Sequence, residues 1–410
     1  MTAPLSCRSC LATSLERVID LGLQPLANNL LRPEDLGKPE PRFPLDVWVC
    51  RDCWLMQIRE TVPPVALFSQ YLYFSSFSGQ MLSHARDASE RYILEKGLGA
   101  TSLVVEVASN DGYLLKNFVA TGIPAVGFEP AENIATVARE AGVETRCEFF
   151  GEASAAALAG ERGRADLILG NNVFAHAPDT NDFVAGLAAL LKPDGWTVLE
   201  FPYGVDMLQH TEFDTIYHEH VFYFTLHPLI GLFARHGLEI FHVEHLSIHG
   251  GSLRLFAGHA RAQTQARSVP DTLAAEAAAG VASEAYYRRF GDAAERVRAE
   301  LVTYLEEAQA TRKRVAAYGA SAKGSTLLNY VGEQAAILEF IADRSTYKQG
   351  LLSPGLHLPI VSAEELAARR PDEALLLVWN FAAEVAAQQV AYTGKGGRFA
   401  VPIPRLHFQP

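Results

Sequence analysis

The chain has 410 residues, 49% of them hydrophobic, with five cysteines and a formal net charge of -12. That length exceeds what one hydrophobic core fills, so two or three domains are expected. The acidic balance and the lack of any Lys/Arg-rich run argue against a nucleic-acid backbone binder, and no stretch approaches the ~20 apolar residues of a membrane span.

Met1 to Thr13 lacks a basic region followed by an apolar one, so a cytoplasmic protein with no membrane partner is expected. Near the start lie Cys7-x2-Cys10 and Cys50-x2-Cys53. Two-residue spacing lets each pair bend around one tetrahedral Zn²⁺, and four thiolates leave no coordination position open for chemistry. A structural zinc is therefore expected in a small domain over 1–70, which is rich in proline and turn formers and has little helical periodicity. The 39 residues between Cys10 and Cys50 exceed the spacer of an ordinary nucleic-acid zinc ribbon. Cys147 is left over and reads as a buried thiol.

A polar-aromatic stretch follows, Tyr71-Leu72-Tyr73-Phe74-Ser75-Ser76-Phe77-Ser78, which suits a lid over a site as well as it suits packing. From about Thr101 the pattern changes. Apolar runs at 103–108, 126–129, 165–170 and 195–201 alternate with amphipathic helices, which implies a parallel sheet covered by helices. Runs at 238–244 and 252–258, joined through His249-Gly250-Gly251, resemble the antiparallel hairpin that closes a class I methyltransferase sheet. This second domain is read over 71–262.

Its first strand runs into a tight polar turn and a helix start, Glu106-Val107-Ala108-Ser109-Asn110-Asp111-Gly112-Tyr113. In open α/β sheets such a crevice holds the ligand. A sulfonium cofactor carrying adenosine needs apolar walls and carboxylates for its hydroxyls and amino group. Glu106, Asp111 and Glu129 are placed for that, with Ser109, Asn110 and Gly112 forming the turn. Glu129 ends the next strand, where Rossmann-type proteins put a ribose-binding acid. NAD fits poorly, because Gly-x-Gly-x-x-Gly is missing and an aspartate would repel pyrophosphate. Asn171 and Asn172 follow the third strand and suit the floor of the same pocket, although Asn171 alone fits a helix cap equally well.

Tyr217-His218-Glu219-His220-Val221-Phe222-Tyr223-Phe224 is the densest chemistry in the chain. The His-Glu-His spacing excludes a helical His-Glu-x-x-His metal site. A neutral histidine accepts a proton near pH 7 and a neighbouring carboxylate can orient it. A base beside a methyl donor suggests carbon deprotonation; loop capping and packing are the rival reading.

Alanine-rich, charged sequence at 266–311 should form long helices, read as a linker over 263–310. A C-terminal α/β domain over 311–410 follows, with strands at 314–318, 336–342 and 374–379 and a helix at 322–331. Its Gly319-Ala320-Ser321-Ala322-Lys323-Gly324 turn opens that helix and offers backbone N–H groups, Ser321 and Lys323 to a phosphate. A plain strand-helix turn is the alternative.

Taken together, Cys-x2-Cys, Asp20-Leu21-Gly22-x2-Pro25-x-Ala27-Asn28, Cys-x2-Cys, Tyr-x-Tyr-x-Ser-Ser, Glu-Val-Ala-Ser-Asn-Asp-Gly and Tyr-His-Glu-His resemble the deoxysugar C-methyltransferases of antibiotic biosynthesis. The likeness continues through 317–324, 343–350 and Pro354-Gly355. It implies a zinc-binding N-terminal domain, a central Rossmann-like domain binding S-adenosylmethionine and a C-terminal Rossmann-like domain. Together these would enclose a TDP-linked 4-keto-6-deoxyhexose, with or without a 3-amino group. The implied reaction is abstraction of the C3 proton, enolate formation and methylation at C3. By this likeness His220 is the base, Tyr217 and Glu219 orient it or touch the sugar, His176 steadies the enolate, Tyr71 or Tyr73 closes the pocket, and Ser321, Lys323, His218 and Tyr223 bind substrate. A monomer is expected. The rivals are an O- or N-methyltransferase, methylation at C5, and a non-enzymatic zinc-ribbon module.

Overall fold

Three β-sheets organise the chain; the computed structural model describes residues 5–59, 62–68, 74–77 and 79–409. The first is antiparallel and contains β1 (Leu15–Pro25), β2 (Arg42–Cys50) and β3 (Met56–Ile58). Val47, Val49, Met56 and Ile58 are buried on it, so a small sheet gains a core that turns and prolines alone would not supply.

The central region contributes β4 (Val104–Val107), β5 (Ala125–Phe128), β6 (Glu144–Arg146), β7 (Ala165–Asn171), β8 (Leu191–Pro202), β9 (Phe222–Tyr223), β10 (Leu238–Leu246) and β11 (Ser252–His259). All but β9 form one seven-stranded sheet in the order β10-β11-β8-β7-β4-β5-β6. Strands β4 to β8 run parallel, and β11 lies antiparallel to both β8 and β10, the edge hairpin expected from the sequence. The strands are apolar on both sides because helices cover both faces. In β4, Val104 packs with Tyr92, Phe118, Leu167 and Leu169, whereas Val105 and Val107 join the opposite cluster with Phe174, Phe183 and Phe201. Strand order reverses between β4 and β7, which opens a crevice at their carboxyl ends.

Strand β9 instead joins the N-terminal sheet, pairing antiparallel with β3 through Met56–Tyr223 and Gln57–Phe222. The third sheet contains β12 (Val315–Tyr318), β13 (Ile341–Asp343), β14 (Ile360–Ser362), β15 (Glu373–Leu376), β16 (Arg398–Val401) and β17 (His407–Gln409), parallel except for β17. Two expected strands are shorter than their apolar runs. The stretch Glu333–Ile337 winds into a 3₁₀ turn ahead of β13, and Trp379 leaves β15 for the turn Trp379–Phe381. Short apolar runs do not by themselves distinguish strand from helical turn. Cys147 is exposed, contrary to the expected buried thiol, because it follows β6 at the open edge of the sheet.

The helical stretch between these sheets breaks at Gly280, φ +93°, into Ser268–Ala279 and Glu284–Ala310. It is packed along its length. Buried Glu276 accepts hydrogen bonds from Tyr203 Oη (2.7 Å), Leu226 N (2.6 Å) and His227 N (2.8 Å). Gly291 lies against β1, where an added Cβ would sit 2.3 Å from the Val18 carbonyl oxygen. Alanine improves helix propensity by about 1 kcal/mol, but overpacking against backbone costs about 1–3 kcal/mol, so the clash wins. Gly291→Ala should therefore lower the thermal unfolding midpoint by a few degrees, measured by calorimetry or circular dichroism; an unchanged or raised midpoint would contradict this packing.

Candidate active site and metal centre

The four N-terminal cysteine sulfurs lie within 4.8 Å of one another. Cys7 and Cys53 are 3.5 Å apart, as are Cys10 and Cys50. Tetrahedral Zn–S bonds of about 2.3 Å place sulfurs about 3.8 Å apart, so the donor set fits zinc. Both knuckles share one geometry: Leu11 N donates to Cys7 O (2.9 Å) and Trp54 N to Cys50 O (2.8 Å). Leu11 and Trp54 adopt φ of +66° and +62°, wrapping each turn around its sulfurs.

A cavity of about 650 Å³ opens at the carboxyl ends of β4 and β7. Its floor is the turn after β4, wound so that Ala108, Asn110 and Gly112 take φ of +52°, +49° and +76°. Ser109 N donates to Phe128 O (3.0 Å), and Asn110 N donates to Glu129 Oε2 (3.1 Å). Gly127 makes room for this turn, since a Cβ there would be 2.2 Å from Ser109 Oγ. Asn110, Glu129, Asn171 and Asn172 line the cavity; Glu106, Ser109, Asp111 and Gly112 form the layer beneath it.

Three buried atoms in that layer have no hydrogen-bond partner among the described residues: Glu106 Oε2, Ser109 Oγ and Asp111 Oδ1. Burial pushes the Glu106 carboxyl well above the usual range, and Asp111 and Glu129 add like charge. Burial also raises Glu129. Such a crowd of acids favours a ligand that brings positive charge and donors, which suits a sulfonium cofactor with an amino group and ribose hydroxyls. Phe149 and Phe150 after β6 also line the cavity, apolar wall that no spacing rule had indicated.

The segment 74–77 rests on the same turn. Ser75 N donates to Asn110 Oδ1 (2.9 Å), and Ser76 N and Oγ both donate to Asp111 Oδ2. Tyr71 and Tyr73 lie outside the described residues.

His176, Tyr217, Glu219, His220 and Tyr223 meet on the cavity wall. His176 Nδ1 lies 2.6 Å from Glu219 O and His220 Nδ1 lies 2.8 Å from Thr215 O. Carbonyls only accept, so each Nδ1 carries the proton, and Nε2 of His220 is left as an acceptor. The two imidazoles are 4.9 Å apart and Tyr217 is 4.1 Å from His220, centroid to centroid. Burial holds His176 down to about 4. Burial and the neighbouring His176 hold His220 down to about 3. Glu219 accepts from Asn28 Nδ2 (2.6 Å), and burial raises its carboxyl. Burial likewise keeps the Tyr223 hydroxyl protonated.

Two residues expected at a substrate face elsewhere. His218 is buried against the N-terminal sheet, Nε2 3.3 Å from Pro44 O and its ring edge-on to Phe43, because it sits inside a turn closed by His220 N donating to Tyr217 O (2.8 Å), which points it away from the cavity. Ser321 is a helix cap, its Oγ accepting from Gly324 N (3.0 Å). Lys323 does reach the cavity, with Nζ 3.6 Å from Glu212 Oε2 and over the Trp379 ring. Asn28, Asp206, Glu212 and Thr215 also line it and were not singled out as site residues. Asn28 sits in the Asp20–Asn28 motif, which was a usable signal; Thr215 acts through its carbonyl, which leaves none.

The chain matches known protein families and relatives. A zinc binding domain matches residues 7–68, a methyltransferase domain 81–243 and a C-methyltransferase C-terminal domain 247–404. The chain is 42% identical to the C-methyltransferase NovU of Streptomyces niveus over 399 residues, 97% of this chain and 95% of that one. Among solved structures, magnesium protoporphyrin IX methyltransferase from Synechocystis PCC 6803 is 15% identical, covering 44% of this chain and 85% of its own, at a TM-score of 0.35. No helix among the described residues is long and apolar enough to cross a membrane.

Two outcomes follow from this geometry. Cys50→Ser should take zinc from one ion per chain to none by metal analysis and lower the unfolding midpoint, since metal binding supplies folding free energy. A group held at about 3 stays neutral through the neutral range, so the acid limb of kcat/KM due to His220 should lie well below the ordinary histidine value of about 6.5. A pH profile that fell through pH 6.5 in the native enzyme but not in a His220→Asn variant would contradict it.

Proposed function

We propose that this chain, which belongs to the C-methyltransferase family and is an S-adenosylmethionine-dependent methyltransferase with a zinc-binding N-terminal domain, methylates the carbon next to the ketone of a TDP-linked 4-keto-6-deoxyhexose at C3. The observation that supports this most directly is His220: a neutral imidazole with its proton fixed on Nδ1 by Thr215 O and its Nε2 on the cavity wall. Only a base is needed to remove a carbon-bound proton made acidic by a neighbouring carbonyl.

In this reading Nε2 of His220 takes the C3 proton and the electron pair moves toward the C4 oxygen. Tyr217 packs on the imidazole and orients it. Glu219, tied to Asn28, holds the backbone carbonyl that fixes His176 against His220, and Tyr223, whose hydroxyl burial keeps protonated, stands by the developing oxyanion as its donor. Donors aimed at developing charge in a dry site are worth more than in water. Bound S-adenosylmethionine supplies an electrophilic methyl group. Glu129 would take the ribose hydroxyls, Glu106, Ser109, Asp111 and the Asn110 turn the amino-acid end, Asn171 and Asn172 the pocket floor, and Phe149 and Phe150 the adenine face. Lys323 would meet the diphosphate of the sugar nucleotide. Tyr71 or Tyr73 would cover the bound sugar.

The decisive assay incubates enzyme, S-adenosylmethionine and a TDP-4-keto-6-deoxyhexose in deuterated water and follows methylation and α-carbon exchange by mass spectrometry. Native enzyme should place the methyl on carbon and exchange the α proton. His220→Asn should lose both by at least about 100-fold, the ordinary worth of a positioned base, while cofactor affinity persists. A methyl found on oxygen or nitrogen would overturn the reading, and a methyl at C5 would relocate it.

A further inference from the structure

Trp379 does not line the cavity, but two charged residues beside it meet the indole ring. The ring N–H donates to Asp214 Oδ2 (2.7 Å), and Lys323 Nζ lies 5.4 Å from the ring centroid. An indole nitrogen is a donor only, and its bond to a carboxylate is stronger than one to a neutral acceptor. The third sheet sets where the ring stands. Leu377 N donates to Tyr318 O (2.9 Å), and Val378 packs so closely on Gly319, φ +94°, that a Cβ there would lie 2.7 Å from the valine methyl groups. The chain leaving β15 is thus seated against a position that only glycine fills without strain.

Asp214 is fully buried in the 3₁₀ turn Phe213–Thr215. Burial raises its carboxyl, and Lys323, the Trp379 N–H and the backbone N–H groups of Asp214 and Thr215 oppose that rise. The next residue is Thr215, whose carbonyl lies 2.8 Å from His220 Nδ1. One bond from the third domain therefore ends a single residue short of the carbonyl that fixes the imidazole. The other bonds of Thr215 run within its own turn, N and Oγ1 both donating to Glu212 O (3.1 and 2.8 Å). If that turn shifts, Nδ1 loses its acceptor, the proton is free to move to Nε2, and the nitrogen facing the cavity no longer accepts.

We propose that Trp379 is a positioning residue for the base: its indole N–H, bonded to Asp214, holds the Phe213–Thr215 turn where Thr215 O keeps the His220 proton on Nδ1. This rests on the reading of His220 as the base. It also ties the domain that carries Lys323 to proton transfer, because the ring that meets Lys323 is the ring that holds Asp214. A reacting group misplaced by about 1 Å costs about 100-fold in rate, so the link acts on kcat rather than on substrate binding.

Three variants test it. Trp379→Phe keeps a ring beside Lys323 and removes the donor, Asp214→Ala removes the acceptor without stranding a buried charge, and Asp214→Asn keeps an acceptor oxygen. The first two should lower kcat and α-proton exchange by between about ten-fold and about 100-fold, with KM for the TDP-4-keto-6-deoxyhexose, cofactor affinity and zinc content as in native enzyme. Asp214→Asn should restore most of what Asp214→Ala loses. ¹⁵N NMR at neutral pH should find His220 protonated at Nδ1 in native enzyme and a mixture of tautomers in Trp379→Phe and Asp214→Ala. A single Nδ1 tautomer with native exchange in Asp214→Ala would overturn the link and leave the base reading standing. A tautomer mixture in that variant, with native enzyme that neither exchanges the α proton nor methylates carbon, would keep the link and overturn His220 as the base.

Discussion

The pairing of β9 with β3 is only two residues wide, yet the His220 corner of the cavity depends on it. Residues 212–221 contain no regular element longer than one 3₁₀ turn, so they have no internal ladder to fix their shape. Their geometry is imposed from outside. The zinc-stapled sheet holds one end through Met56–Tyr223, Gln57–Phe222 and Ile58 N to Val221 O (2.9 Å). The central domain holds the same end through Val221 N to Ala175 O (2.8 Å) and the stretch before it through His176 Nδ1 to Glu219 O (2.6 Å). The C-terminal domain holds the other end through Trp379 Nε1 to Asp214 Oδ2 (2.7 Å) and Thr326 Oγ1 to Ile216 O (3.1 Å). Thr215, whose carbonyl sets the His220 tautomer, lies between those last two contacts. The zinc-binding sheet therefore bears on the shape of the candidate site from outside the cavity.

Burial acts differently on groups that look alike in sequence. Glu106 and Glu200 are each 1% exposed. Glu106 has an oxygen without a partner, and burial carries its carboxyl far up. Burial also opposes charge on Glu200, but His84 (3.0 Å) and Arg254 (2.9 Å) outweigh it and hold that carboxyl down. The paired acid is structural: with Arg254, Glu244 and Arg91 it ties helix Gly79–Lys96 to the sheet. The unpaired acid lies under the crevice at the carboxyl ends of β4 and β7. A buried polar group without a partner is costly, and such a cost persists most readily where a ligand supplies what is missing.

Much of this was legible in the chain itself. The Cys-x2-Cys pairs, the alternation of strands and helices, the Glu106–Gly112 turn and the Tyr217–His220 cluster carry local signals, because zinc knuckles, sheet periodicity and tight turns each demand particular residues at fixed spacing. The helix at Ala322–Val331 was readable for the same reason, with its cap and apolar face both in sequence. His218 and Ser321 misled because residue type suggested chemistry while backbone direction decided otherwise. Asn28 and Thr215 were not singled out because their partners lie across domains or involve only a carbonyl.

Sequence by itself determined the metal donors, the succession of most central strands along the chain and the residue types available for proton transfer and ligand binding, since these follow from local spacing and periodicity. Tertiary structure alone decided which nitrogen of His220 is free, that His176 and His220 share one wall, that Lys323 reaches the cavity and that Trp379 meets Asp214. The first turns on a carbonyl five residues away whose position is set from outside the segment, the others on contacts between segments tens to hundreds of residues apart, and no local pattern encodes the direction in which a side chain points once three domains close on one cavity.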